Sequence, residues 1–169
     1  MPDPALVALA ERLQVACLAG GLTVTTAESC TGGLVAATIS EVPGSSAYFL
    51  GAIVSYANDV KVALLDVPLA MLEAHGAVSA QVARAMADGC RRRLGSSLAV
   101  SVTGIAGPDG GSAAKPVGLT YVGLASPRPT EVHRFVFSGD RAAVRTAAVT
   151  EALAWLIAAA EGHEPGTTA

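Results

Sequence analysis

Two short segments place hydroxyls and glycines directly after apolar runs. One is Thr25-Thr26-Ala27-Glu28-Ser29-Cys30-Thr31-Gly32-Gly33, and the other is Ser101-Val102-Thr103-Gly104-Ile105-Ala106-Gly107-Pro108-Asp109-Gly110-Gly111. In open α/β sheets, ligands gather beyond the carboxyl ends of strands, where backbone amides and helix starts converge. A hydroxyl followed by two glycines at a helix start can present a nucleophile and leave amides free for an oxyanion or a phosphate. On spacing alone, capping of the following helix by Ser29 and Thr31 is the first reading of these hydroxyls.

A hydroxyl nucleophile needs a base. His75, His133 and His163 fall at a helix end, within a strand and in the tail, where structural or solvated roles fit them best. Lysine is the other source. Of eleven basic residues only Lys61 and Lys115 are lysines, and lysine, unlike arginine, loses its proton when desolvated. Lys61 lies just beyond an apolar run, in the right region to face Ser29. Lys115 sits in a glycine-rich loop, where a phosphate or a solvent contact reads equally well. Cys17, Cys30 and Cys90 are odd in number and share no metal-ligand spacing, so neither a zinc site nor a disulfide framework is expected. The loop glycines do not make GxGxxG, and no GK[ST] follows them.

Alternating elements must position these groups. Asp3-Pro4 opens a helix whose face is Leu6, Leu9, Leu13 and Cys17, stopped by Gly20-Gly21. Leu22 to Thr26 reads as a strand, and a second helix follows Gly33 and reaches about Ser40. Tyr48 to Tyr56 barely alternates, which predicts a strand buried on both faces. Asn58 is the expected cap of a short helix carrying Lys61, and Pro68 opens another that ends near His75-Gly76. Ser79 caps the helix Ala80 to Leu94, whose Arg91 to Arg93 complement its dipole. Leu98 to Thr103 is a strand running into the Gly104–Gly118 loop. Leu119–Ala125 and Val132–Phe137 are separated too briefly for a helical crossover, so they should pair antiparallel. Asp140 caps the last helix. The pattern predicts a three-layer α/β/α sandwich with a mixed, mostly parallel sheet.

Composition agrees. The 169 residues are 51% apolar and 15% charged, which excludes disorder, and aromatics make up only 4%, so the core rests on Ala, Val, Leu and Ile. A net charge of −3 without a long basic run argues against nucleic-acid binding. The Ala152–Ala160 run is too short for a bilayer, and the N-terminus lacks the pattern of a secretory signal. A reduced, cytoplasmic setting is expected, with a homodimer as the expected assembly. One domain over residues 1–161 and a mobile tail over 162–169 are expected.

Six segments then carry a likeness: AESCTGG at 27–33, the Tyr56, Asn58 and Lys61 segment, HGAVS at 75–79, SVTGIAGPDGG at 101–111, KPVG at 115–118 and GDRAAVR at 139–145. In this order they resemble the CinA C-terminal-domain family, which includes stand-alone nicotinamide-nucleotide amidases, and the chain is similar to the single-domain form. The resemblance implies hydrolysis of the carboxamide of nicotinamide mononucleotide, without metal or cofactor. It implies Ser29 as nucleophile, Lys61 as base, and Tyr56 and Thr103 as supporting groups. Substrate contacts fall to Glu28, Cys30, Gly32, Gly33 and Asn58, to Gly104 and Gly107 of the loop, and to Arg141 and Arg145. The arginines stand i, i+4 at a helix start, where they suit a phosphate or surface carboxylates equally. Asp66 stands where the family usually has glycine, and Ser112-Ala113-Ala114 is a plain version of its loop. Two other functions stay open: a non-catalytic nucleotide-binding or regulatory module of the same fold, and an amidase for another small amide.

Overall fold

The computed structural model describes residues 3–162. The expected tail therefore lies, from residue 163 on, outside the described residues, as does His163. The chain runs α1 (Pro4–Gly20), β1 (Val24–Glu28), α2 (Leu34–Ser40), β2 (Phe49–Val54), α3 (Asn58–Leu65), α4 (Leu69–His75), α5 (Ala80–Leu94), β3 (Leu98–Gly104), β4 (Leu119–Ala125), β5 (Glu131–Val136) and α6 (Arg141–Ala160). The strands form one sheet in the order β2-β1-β3-β4-β5. β1 pairs parallel with β2 and β3, while β4 pairs antiparallel with β3 and β5. Only β4 runs against the other four, which makes the sheet mixed and mostly parallel in direction.

Strand alternation divides the core into two layers. On β3, Val100 and Val102 face a cluster built with α1, α2 and α6. Ala99 faces the other cluster, built with Leu65 of α3, Leu72 of α4 and Val82, Met86 and Cys90 of α5. Helices on both faces give the three-layer α/β/α arrangement. Two contacts require glycine. A Cβ on Gly89 would come within 1.9 Å of the Leu65 carbonyl oxygen, so α5 passes against the end of α3 at backbone distance. On the sheet, a Cβ on Gly123 would come within 2.5 Å of Ser101 Oγ and 2.7 Å of the Ala83 carbonyl oxygen.

Three helices begin as their sequences predict: the side chains of Asp3, Ser79 and Asp140 accept from the amides of Ala5, Val82 and Ala143. Two expectations need correction. The strand read as Tyr48–Tyr56 and buried on both faces is shorter, lies at the sheet edge, and leaves Leu50 and Val54 exposed. Apolar content alone tells neither whether both faces of a strand are covered nor whether a neighbour pairs on each edge. Asn58 is not a cap: Ala57 holds that position without a side-chain bond, and Asn58 begins the helix. By length and composition α6 could cross a bilayer, but Val144, Ala148, Val149, Ala152, Leu153 and Leu156 on it are core residues of this domain.

Candidate active site

The site forms where β1 and β3 end side by side. Ser29 is the first residue beyond β1, and its amide donates to the Val102 carbonyl at 2.9 Å. The chain then turns sharply: the Gly32 amide returns to the Ser29 carbonyl at 3.0 Å, and Gly32 and Gly33 adopt φ of 62° and 97°. Those left-handed conformations carry a large steric penalty for other residues, which accounts for the glycine pair.

Neither hydroxyl caps α2, and Thr31 Oγ1 is buried without a partner. The cap is Glu28. Its fully buried carboxylate accepts from the amides of Gly33, Val35 and Ala36 at 2.9, 3.0 and 2.9 Å, and from Thr26 Oγ1 at 3.1 Å. A carboxylate in the interior is tolerable only when its oxygens are satisfied in this way. Glu28, expected to contact substrate, is thus turned away and holds the turn instead.

Freed from capping, Ser29 Oγ meets Lys61 Nζ at 3.2 Å. The same ammonium nitrogen donates to the Ser55 carbonyl at 2.7 Å and the Tyr56 carbonyl at 3.2 Å. Lys61 is only 1% exposed, and burial lowers its pKa from the usual 10.5, with nearby Cys30 opposing. A neutral amine has two protons and one lone pair. In the neutral form the two fixed carbonyls can take both protons, which leaves the lone pair for the serine hydroxyl; protonated, the same nitrogen donates to all three oxygens.

The pair opens into a cleft of about 300 Å³. Cys30, Tyr56 and Asn58 line it with them, as do Thr103, Ala77 and Val78. Gly104 to Gly107, Asp109 and Gly110 supply one wall, and Arg141 closes the rim. Thr103 reaches the cleft but spends its hydroxyl on the Ala77 carbonyl at 2.9 Å. Tyr56 contributes its carbonyl to Lys61, while its phenol accepts from Arg141 at 3.0 Å. Arg141 also donates to the Gly107 carbonyl at 2.9 Å. Cys30 packs under the turn, and desolvation pushes its thiol up to about 11.

Of the predicted contact residues, Glu28, Gly32, Gly33 and Arg145 do not line the cleft. Arg145 lies one helical turn deeper than Arg141 and donates to the Thr31 carbonyl at 2.7 Å, bracing the turn from behind. Asp109 was absent from the predicted contacts although it stands in the glycine-rich segment. The signal available for it was its place in a loop that continues a strand end. Among the described residues no group of three or more His, Cys, Asp and Glu side chains is placed to hold a metal ion. A second hollow of about 210 Å³, between α1, α2 and Thr146, is lined by Asp3, Glu41 and two threonines, with no lysine, histidine or cysteine among its lining residues.

Known proteins are similar in both sequence and fold. The CinA C-terminal domain family model matches residues 6–160. A CinA-like protein of Citrifermentans bemidjiense is 53% identical over 146 residues, covering 86% of this chain and 35% of that protein. One from Geobacter sulfurreducens is 57% identical over 136 residues, 80% of this chain and 33% of its own. The chain thus spans about a third of the length of the curated relatives it matches. Two crystal structures cover nearly the whole domain. The competence/damage inducible protein CihA from Agrobacterium tumefaciens superposes with a TM-score of 0.91 at 42% identity, over 94% of this chain and 97% of that one. A CinA superfamily protein from Klebsiella pneumoniae gives 0.89 at 32%, over 93% and 98%. A matched span from the first helix to the last, together with these superpositions, establishes that the chain belongs to the CinA C-terminal domain family.

Proposed function

We propose that this domain hydrolyses the carboxamide of nicotinamide mononucleotide to nicotinic acid mononucleotide and ammonia. The observation that carries the reading is the Lys61 amine, buried, lowered in pKa and 3.2 Å from Ser29 Oγ at the wall of a ligand-sized cleft. Amide hydrolysis needs an activated nucleophile, a stabilised oxyanion and a proton for the departing amine. Neutral Lys61 takes the Ser29 proton as Oγ attacks the carboxamide carbon. The resulting ammonium returns that proton to the leaving nitrogen, which departs as ammonia and leaves an acyl-serine. Water, deprotonated by the same amine, then releases the carboxylate and restores Ser29.

Donors for the oxyanion come from a short list. The amides of Gly32 and Gly33 are committed to Ser29 and Glu28, whereas those of Cys30, Ala106 and Gly107 have no backbone acceptor among the described residues. Arg141 is the cationic group at the rim. Its present partners, a carbonyl and a phenol, are neutral acceptors that a phosphate outcompetes. The test is ammonia release from nicotinamide mononucleotide, nicotinamide riboside and nicotinamide, each with wild type and Ser29→Ala. Release from the mononucleotide, lost in Ser29→Ala, is expected. Binding of the mononucleotide without release identifies a silent binding module, and preference for a substrate without phosphate identifies a different amidase.

A further inference from the structure

HGAVS and KPVG, at residues 75–79 and 115–118, supply only Ala77 and Val78 to the cleft. The fold joins these two segments to each other. Lys115 Nζ donates to the carbonyl of His75, the last residue of α4, at 2.6 Å. The cation sits at the negative end of that helix, where the dipole favours it. Room for it is made by Gly76, on which a Cβ would stand 2.9 Å from the ammonium nitrogen.

Between its two ends the loop from Gly104 to Gly118 is braced as one piece. The Ile105 amide donates to the Leu119 carbonyl, the Gly118 amide to the Ile105 carbonyl, and the Ser112 amide to the Lys115 carbonyl, each at 2.8 Å. Val117 fills the inside: a Cβ on Gly107 would come within 2.5 Å of Val117 Cγ1, and one on Gly111 within 2.8 Å of the Val117 amide nitrogen. A loop so packed moves as a unit rather than bending residue by residue. One side of it forms a cleft wall through Ile105, Gly107, Asp109 and Gly110. The His75–Ser79 segment leads directly to Ala77 and Val78 on another wall.

We propose that Lys115 is a positioning residue that straps the glycine-rich loop to the end of α4 and so sets the width of the cleft. It does not touch substrate. Because Lys115 is not among the cleft residues, its loss changes how well any substrate seats rather than how Ser29 and Lys61 react. The kinetic half of this inference rests on the amidase reading above, whereas the motion of the loop is independent of it.

The test compares wild type with Lys115→Met and Lys115→Arg. In Lys115→Met, KM for nicotinamide mononucleotide and for the riboside should rise together by about threefold to tenfold, the range carried by one charge-assisted bond at a part-exposed site. The pH profile of turnover should not change, because the Ser29–Lys61 pair is left intact. Hydrogen exchange of the 105–112 amides should quicken in Lys115→Met, while exchange in α6 stays as in wild type. Lys115→Arg, whose guanidinium can still reach the carbonyl, should restore both readouts. A loss confined to the phosphate-bearing substrate would make Lys115 a phosphate ligand and overturn the strap. Unchanged exchange in Lys115→Met would overturn it as well. If wild type releases no ammonia from either compound, the amidase reading fails while the exchange comparison still decides the strap.

Discussion

Lys61→Met separates a base from a mere neighbour of the serine. Methionine matches the lysine stem out to Cε and keeps it packed, but it lacks the nitrogen that meets Ser29 Oγ, the Ser55 carbonyl and the Tyr56 carbonyl. General-base catalysis is worth about 10²- to 10⁴-fold, so ammonia release should fall by at least that range. Stability should respond far less. The Ser55 carbonyl loses its donor inside a fully buried residue, at a cost of about 1–3 kcal/mol. Relief of the desolvated amine offsets part of this, and the exposed Tyr56 can turn its carbonyl to water. A net change within about 2 kcal/mol leaves the variant folded. The pH dependence gives a sharper readout. Between the lowered folded pKa and 10.5 the unfolded chain binds more protons at this lysine than the folded one, so wild-type stability rises with pH there. Lys61→Met should lack that slope. Wild-type kcat/KM should likewise rise with pH and level off below the ordinary lysine range, because only the neutral amine can accept the serine proton. Denaturant unfolding and ammonia release, both measured from neutral pH to pH 10.5, supply the two curves. A variant that keeps the same rising limb at a reduced rate would refute Lys61 as the titrating base.

Other substitutions divide the site into chemistry and scaffold. Ser29→Ala should abolish turnover, and adding Lys61→Met to it should cost scarcely more, since the two act as a unit; additive losses in kcat would break that coupling. Cys30→Ala should keep most activity at neutral pH, because burial holds the thiol protonated up to about 11; a dead Cys30→Ala beside an active Ser29→Ala would transfer the attack to sulfur. Arg141→Ala should lose kcat/KM on the mononucleotide and little on the riboside, whereas Arg145→Ala should lose equally on both because it braces the turn at Thr31. The reverse pattern would exchange their roles. Gly89→Ala should lower unfolding free energy by about 3 kcal/mol or more, measured in denaturant, since its Cβ would enter the Leu65 carbonyl at 1.9 Å; a near-neutral result would mean that α3 and α5 part easily.

Local chemistry was legible where a residue acts on its immediate neighbours. Asp3, Ser79 and Asp140 announce helix starts, and the short Ser126–Glu131 connection announces an antiparallel pair. The scarcity of lysine points to Lys61 independently of the family likeness, and the structure sets that amine against Ser29. Three features lay beyond the sequence because they depend on depth rather than on type or spacing. Arg141 and Arg145 share a helical face, yet one turn of rise puts the first at the cleft rim and the second behind the turn. Tyr56 is expected only as a supporting group, and the atom through which it meets Lys61 is its carbonyl. Lys115 and His75 meet across 40 residues, a contact that no local pattern encodes. Asp66 is a milder case. It adopts φ 55° at the end of α3, the conformation glycine favours, and sits within 3.2 Å of Arg92 and 3.5 Å of Arg93. Aspartate tolerates that region better than most side chains, so the departure from glycine is absorbed at the surface.

Glu28 changes where catalytic charge can be met. A hydroxyl before two glycines and a helix invites the expectation that the helix start holds the oxyanion. Here a buried carboxylate already occupies that end, taking three of its amides and offsetting its positive dipole before any substrate arrives. On the amidase reading proposed above, developing negative charge at the carboxamide oxygen would be met instead by amides without a backbone acceptor among the described residues, those of Cys30, Ala106 and Gly107. Donors contributed by two separate walls work only if the walls keep their spacing, because electrostatic stabilisation depends on donors fixed about 3 Å from the oxyanion. The nucleophile's own turn is rigid by virtue of Glu28, Arg145 and the two glycines. The glycine-rich loop is held by Ala106 in the core, by Val117 packing and by ties to neighbouring elements, Arg141 at one point and Lys115 at another. Burying a carboxylate beside the serine thus moves the demand for precision from the helix that follows it to the glycine-rich loop facing it.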